Sequence, residues 1–100
     1  MLDRAASQKP HELEVNNAIS QVVEWFPLGQ QLRLEFNILE AILRDYAVYG
    51  TNFQRSKMVN TWLKSDPEAS WSKLCGALER VGEKTLAQEI REKYIMDPSE

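Results

Sequence analysis

The sequence predicts an all-α fold, and specifically a six-helix antiparallel bundle. Apolar residues recur at steps of three or four in six successive stretches, which is the spacing of one face of a helix. Short breaks of glycine, proline or polar residues separate these stretches, and no stretch gives a clear strand pattern. The 100 residues are 43% hydrophobic and 27% charged, which is typical of one globular domain with a single core.

The N-terminal third predicts a leader and two helices. Residues 1–10 are polar, end in Pro10 and are expected to form a flexible leader. The first helix is expected from about His11. Its inward face would carry Leu13, Val15, Ala18, Ile19, Val22 and Val23. A short second helix should run from Trp25 or Phe26 to Leu32, with Pro27 in its first turn, where a missing N–H costs little.

The middle of the chain predicts two longer helices joined by an apolar connector. The third helix is expected from about Glu35 to Asp45, and the fourth from Phe53 to about Lys64. The third helix should turn the following residues inward: Ile38, Leu39, Ile42 and Leu43. Gly50 is a stop signal, and Thr51 or Asn52 is expected to cap the fourth helix.

The last two helices have clear boundary signals. Ser70 is the expected N-cap of the fifth helix, Trp71–Val81, with Asp66 as the rival cap. Gly82 suits the left-handed position that ends that helix. The sixth helix is expected from about Lys84 to Tyr94, and residues 96–100 should form a flexible tail.

These six faces supply a predicted hydrophobic core. Large aromatic residues at helical spacing usually pack in cores, so all three tryptophans are assigned there. The predicted core consists of Trp25, Leu28, Leu32, Leu39, Ile42, Val59, Trp62, Leu63, Trp71, Leu74, Leu78, Val81, Leu86 and Ile90.

Several of these residues together resemble a death domain. From Trp25 the chain reads W-x-x-L-G-x-x-L-x-L, and from Leu74 it reads L-x-x-A-L-x-x-V-G. Trp62-Leu63 precedes the second motif and Leu86-Ala87 follows it. The resemblance covers about residues 12–94, nearly the whole chain, and implies one domain over residues 11–95. It implies a Greek-key-like six-helix bundle without an active site. It also implies homotypic association with other death domains, in adaptor or receptor assemblies of apoptotic or innate-immune signalling.

Composition argues against most other function classes. The net charge is −3, which disfavours nonspecific binding to nucleic acid or to anionic membranes. No apolar run approaches the length of a membrane span, and no stretch of the N-terminus resembles a signal peptide. A cytoplasmic or nuclear location is therefore expected, and the cytoplasm is the location predicted. Cys75 is the single cysteine and His11 the single histidine, too few for a zinc site or a nucleophile–base pair. We therefore expect no catalytic residue, cofactor or metal.

Charge patterning suggests an interaction surface. The outer face of the fourth helix is expected to be basic, and the surface around the second and third helices mainly acidic. Complementary patches on different faces of one molecule favour head-to-tail contacts, which can propagate into oligomers that depend on concentration. The candidate interface residues are Glu35, Glu40, Arg44, Arg55, Lys57, Lys64 and Asp66. Phe26 and Tyr49 are further candidates for exposed contacts, and a mixed solvated surface is the alternative.

Two other functions remain open at this level. The fourth and fifth helices with their short turn could form a helix-turn-helix that binds nucleic acid. Against that, the fifth helix offers only Lys73 and Arg80 as basic residues. The chain could also be a structural bundle of a larger protein with no partner of its own.

Overall fold

The computed structural model describes residues 9–95, in which all regular secondary structure is helical. Residues 1–8 of the expected leader and the expected tail, 96–100, lie outside the described residues. The six α-helices are α1 Glu12–Ala18, α2 Trp25–Gln31, α3 Phe36–Asp45, α4 Thr51–Ser65, α5 Trp71–Arg80 and α6 Lys84–Ile90. A 3₁₀ turn, Ala47–Tyr49, joins α3 to α4, and a π-helical turn, Arg91–Ile95, continues α6. The predicted all-α six-helix bundle is confirmed.

Helix α4 is the central element of the bundle. It packs against α1, α2 and α3, while α2 also contacts α3 and α5, and α5 contacts α6. Its buried stripe advances in pairs four residues apart: Gln54, Arg55, Met58, Val59, Trp62 and Leu63. This period keeps one face of the helix turned toward the core along about 14 Å.

The core matches most of the prediction. Every predicted core residue is buried except Val81 and Leu86, which are half-buried and pack against its edge. Further buried hydrophobic residues complete it: Val15, Ile19, Val22, Leu34, Met58, Ala69, Cys75, Ala77 and Ala87. Trp71 stacks on Tyr94 with ring centroids 4.0 Å apart and planes 8° apart, which holds the π-helical turn against α5.

The first helix is shorter than predicted. His11 caps α1, because its Nδ1 accepts a hydrogen bond from the Leu13 N–H at 3.3 Å, but the helix ends at Ala18. Ile19 and Val22 are buried from the loop that follows, while Leu13 and Val23 are exposed. The inward assignment of Leu13 and Val23 was therefore wrong. Because the helix ends at Ala18, helical spacing no longer applies to Ile19, Val22 and Val23, and the loop brings only the first two into the core.

Helices α3 and α4 also depart from the prediction. On α3 only Leu39 and Ile42 reach the core, while Ile38 and Leu43 are exposed. Because α3 packs against neighbours along a narrow stripe, its flanking apolar residues face outward. Helix α4 begins at Thr51 with Gly50 as its N-cap, at φ +89°, so the expected Thr51 or Asn52 cap was wrong.

Helices α2 and α5 end in the same hydrogen-bonded motif with different residues. After α5, Gly82 has φ +90° and the Glu83 N–H donates to the Leu78 carbonyl at 2.8 Å. After α2, Arg33 has φ +71° and the Leu34 N–H donates to the Gly29 carbonyl at 3.1 Å. Both are Schellman-type endings, which usually carry glycine in the left-handed position. Ser70 caps α5 as predicted, its Oγ accepting from the Lys73 N–H at 3.2 Å.

Candidate interaction surfaces

Arg55 belongs to the interior of the molecule and not to its basic face. Its side chain is on the buried stripe of α4 and the residue is 6% exposed. One guanidinium nitrogen donates to the Val22 carbonyl at 2.8 Å and another to the Asn52 Oδ1 at 2.6 Å. Burial lowers the pKa of the guanidinium from its usual value. The prediction of Arg55 as an exposed interface residue was wrong, because Arg55 fixes the α1–α2 loop to α4.

Gln54, beside Arg55 on α4, holds the start of the α3–α4 connector. Its Oε1 accepts from the Trp25 indole N–H at 3.2 Å, and its Nε2 donates to the Tyr46 carbonyl at 3.2 Å. This buried amide therefore links α2, α4 and the end of α3. Tyr46 is held at the base of the connector that it begins.

The connector presents an aromatic corner, defined by Tyr46, Val48, Tyr49, Phe53 and Lys57. Its three rings are mutually in contact, with centroid separations of 4.9 to 6.1 Å. Val48 is 87% exposed and Tyr49 is 61% exposed, and Phe53 is also exposed. The Lys57 ammonium lies 5.2 Å from the centre of the Tyr46 ring, a cation–π distance. The corner combines exposed apolar surface with a fixed positive charge.

The remaining basic residues of α4 lie along one face. Lys57 and Lys64 are seven residues apart, which places them about 10 Å apart on the same side of the helix. Lys57 is half-buried beside the Tyr46 ring and Lys64 is exposed. The predicted basic face therefore retains these two lysines without Arg55.

The acidic candidates lie on α3 or at its start. Glu35 and Glu40 are exposed, and Arg44 is exposed and pairs with its neighbour Asp45 at 3.3 Å. Phe36 is also exposed on this helix. Phe26 is half-buried, with its ring 5.5 Å from that of Phe36, so only part of it is available for contact.

Asp66 is a structural anchor at the end of α4. Its carboxylate accepts from the Glu68 N–H at 2.9 Å, from the Trp62 indole at 3.3 Å and from the Lys73 ammonium at 3.2 Å. Burial opposes its charge, but these donors outweigh burial and hold its pKa below the usual value. With all its partners inside the molecule, Asp66 is less available to another protein than was predicted.

A concave surface lies next to this anchor. A basic cleft of about 600 Å³ opens between the end of α2, the end of α4 and α5. The basic cleft is lined by Gln31, Leu32, Arg33, Trp62, Ser65, Asp66, Ser72, Lys73, Gly76 and Arg80. Three cationic side chains and one carboxylate face this space, so its electrostatic character is positive.

The single cysteine belongs to the core. The Cys75 thiol is buried and contacts the Ala87 carbonyl at 3.5 Å, and burial raises its pKa. Within residues 9–95, no cluster of histidine, cysteine, aspartate or glutamate has the arrangement of a metal site. In the same range, no helix has the length and apolar character needed to span a membrane.

No protein-family model, curated protein or solved structure matches the chain. The resemblance to a death domain therefore depends only on the residues that form its motifs. Sequence reasoning missed the aromatic corner as a unit and the basic cleft altogether. The signal for the corner was present, because Tyr46, Tyr49 and Phe53 follow one another at steps of three and four. The cleft joins residues from three helices, so no local pattern could have indicated it.

Proposed function

We propose that this chain is a non-enzymatic protein–protein interaction domain that associates with death domains, its own copies included. Such association would assemble adaptor or receptor complexes in apoptotic or innate-immune signalling, and we propose a cytoplasmic location for the chain. The aromatic corner is the observation that carries the proposal. The support from sequence is that the death-domain motifs lie in helices that follow one another in the expected order.

The aromatic corner suits protein association better than a structural role. Exposed side chains such as Val48 and Tyr49 gain little from their positions in the isolated molecule. Contiguous apolar patches on small proteins commonly mark binding sites, and aromatic residues are frequent among residues that dominate binding energy. Gln54 holds the Tyr46 backbone in place, so a partner would meet a surface whose base is already ordered.

Charge supports a head-to-tail arrangement. Lys57 and Lys64 form a positive strip on α4, whereas Glu35 and Glu40 are exposed at α3. Different patches on one molecule that complement each other give heterologous contacts, which extend into rings or helical oligomers. We assign Lys57 with the aromatic corner to one side of this contact, and Glu35 with Glu40 to the other.

The first test is molecular mass against protein concentration by light scattering. We expect the unmodified chain to associate as concentration rises. Val48→Asp should weaken association at least about fivefold, the effect of losing roughly 1 kcal/mol at an interface. The matched control is Val23→Asp, because Val23 is 67% exposed but lies in the α1–α2 loop. A chain that stays monomeric at every concentration and captures no death domain would overturn the proposal and favour a structural bundle.

A second test addresses charge. The double reversal Lys57→Glu with Lys64→Glu should weaken association, and adding Glu35→Lys with Glu40→Lys in the partner copy should restore it. Lys84→Glu, an exposed lysine at the start of α6, is the control reversal. If the double reversal left both folding and partner binding unchanged, the assignment of the two lysines to the interface would be wrong. A salt-dependent gel shift with DNA or RNA would instead support the alternative hypothesis, a helix-turn-helix that binds nucleic acid.

A further inference from the structure

The basic cleft is a concave site separate from the aromatic corner. Its volume of about 600 Å³ lies within the usual range for small-ligand sites. Gly76 lines it without a side chain, and a Cβ built there would meet nothing closer than the Arg80 guanidinium at 3.7 Å. Leu32 and Trp62 supply its apolar lining, so the space is neither flat nor purely polar.

Arg33 is an unusual residue at the edge of this cleft. It has the left-handed conformation that glycine adopts at the matching position after α5, and a residue with a Cβ is disfavoured there. Its side chain is exposed and makes no hydrogen bond or ion pair with any other residue of 9–95. Among residues 9–95 the Arg33 charge therefore has no partner, and its backbone has a strained conformation. Backbone strain of this kind concentrates at functional sites.

The other charged groups of the cleft are already oriented. The Arg80 Nε donates to the Gln31 Oε1 at 2.9 Å, which leaves the terminal nitrogens of the guanidinium for another acceptor. Lys73 is paired with Asp66, whose carboxylate is satisfied by four hydrogen bonds. Arg33 and Arg80 thus remain as two positive charges without a carboxylate partner among the described residues.

We propose that the basic cleft binds a phosphate monoester. Two arginines match its two negative charges, and guanidinium groups hold phosphate oxygens through paired hydrogen bonds. The hydroxyl groups of Ser65 and Ser72 line the same space and add donors for the remaining oxygens. This binding site is independent of the proposed self-association, and the phosphate could belong to a small metabolite or to a phosphorylated serine of a partner.

The test is a titration of the ¹⁵N-labelled chain followed by NMR. The probes are inorganic phosphate, O-phosphoserine and a short phosphoserine peptide, with serine and sodium chloride at equal ionic strength as blanks. We expect saturating shifts at the amides of Ser72, Lys73 and Gly76 and at the Trp62 indole N–H. Tighter binding of the peptide would indicate a phosphorylated partner protein, and equal binding of O-phosphoserine a small metabolite.

Two variants and one control make the result specific. Arg33→Gly removes the charge while suiting the left-handed backbone, and Arg80→Gln removes the second charge. Each should weaken phosphate binding about tenfold or more, as expected for the loss of one charge-assisted hydrogen bond. Lys84→Gln removes the charge of an exposed lysine at the start of α6, outside the cleft lining, and should change nothing. Absence of saturating shifts with all three phosphate probes, or equal weakening by Lys84→Gln, would overturn the proposal.

Discussion

Arg55 donates a 2.8 Å hydrogen bond to the carbonyl oxygen of Val22, and this contact joins the centre of α4 to the α1–α2 loop. The two residues are 33 positions apart and both are buried. The loop has no helix to satisfy that carbonyl, so the arginine supplies the donor that a helix would otherwise provide. Arg55 has no carboxylate partner among residues 9–95, and its guanidinium instead donates to the Val22 carbonyl and to the Asn52 Oδ1.

Replacing Arg55 should therefore affect stability. Arg55→Met keeps much of the side-chain volume but removes both hydrogen bonds and leaves a buried carbonyl unsatisfied. We expect the free energy of unfolding in urea to fall by about 1–3 kcal/mol. Arg44→Met, on an exposed arginine of α3, should stay within about 0.5 kcal/mol of the unmodified chain. Equal effects of the two substitutions would show that the Val22 contact contributes nothing.

The same glycine-to-alanine change should have opposite signs in two helices. A Cβ at Gly29 in α2 would lie 2.6 Å from Leu39 Cδ2 and 3.2 Å from Met58 Cγ, both buried. Gly29→Ala should destabilise the fold by about 1–3 kcal/mol, because the core must shift to accept it. Gly76→Ala in α5 makes only an ordinary contact with the Arg80 guanidinium, at 3.7 Å, and should stabilise the fold by about 0.5–1 kcal/mol through helix propensity. Urea unfolding of both variants measures these changes in stability. Stabilisation by Gly29→Ala would contradict the close packing of α2 against Leu39 and Met58.

The two Schellman-type endings predict a second contrast. Arg33→Gly should leave stability unchanged or raise it by up to about 1 kcal/mol, since glycine has no penalty at positive φ. Gly82→Ala should lower it by about 1–2 kcal/mol for the same reason. Thermal and urea unfolding measure both. A marked loss of stability in Arg33→Gly would mean that the Arg33 side chain stabilises the fold. It would then count against a role of Arg33 in phosphate binding.

Acid should destabilise the molecule through two carboxylates. The hydrogen bond from Arg91 is the main cause that lowers the Glu79 pKa from 4.5. For Asp66, burial raises the pKa, but hydrogen bonds from Glu68, Lys73 and Trp62 lower it by more, so the net pKa lies below its usual value of 3.8. Because both pKa values are lower in the folded state, their stabilisation is complete above the unfolded values and is lost as pH falls through the folded values.

The measurement is the urea concentration at the midpoint of unfolding, determined at a series of pH values from 7 to 2. It should decline below about pH 4.5. The double variant Asp66→Asn with Glu79→Gln should show a shallower decline, although it is less stable at pH 7. Glu40→Gln, at an exposed glutamate of α3, controls for the loss of a negative charge. An identical pH profile in the double variant and the unmodified chain would contradict this assignment.

The sequence predicted the fold well because its signals were local. Ser70 and Gly82 mark the two ends of α5, and the tryptophans lie on regular apolar stripes, so helix positions follow from spacing. The errors arose where tertiary contacts override residue type. Arg55 is polar and was assigned to the surface, although it lies four residues before the buried Val59 on the same stripe. Val23 is apolar and was assigned to the inward face of the first helix, although that helix ends at Ala18.

The candidate sites were less predictable, for the same reason. Lys57 and Lys64 could be placed on one helix face by counting, but the contact of Lys57 with the Tyr46 ring depends on how the connector folds back. The basic cleft requires that the ends of α2 and α4 meet α5, which only the assembled bundle determines. Helical spacing indicates which residues share a face, whereas sites formed between helices depend on packing.

The burial of Cys75 gives the molecule an internal reporter. Its thiol lies between α5 and α6, in contact with the Ala87 carbonyl, and it is the single cysteine of the chain. A thiol reagent can modify it only when these two helices separate, so the labelling rate reports their opening. Comparison of that rate with global unfolding would show whether the C-terminal helix pair detaches on its own or opens with the whole bundle.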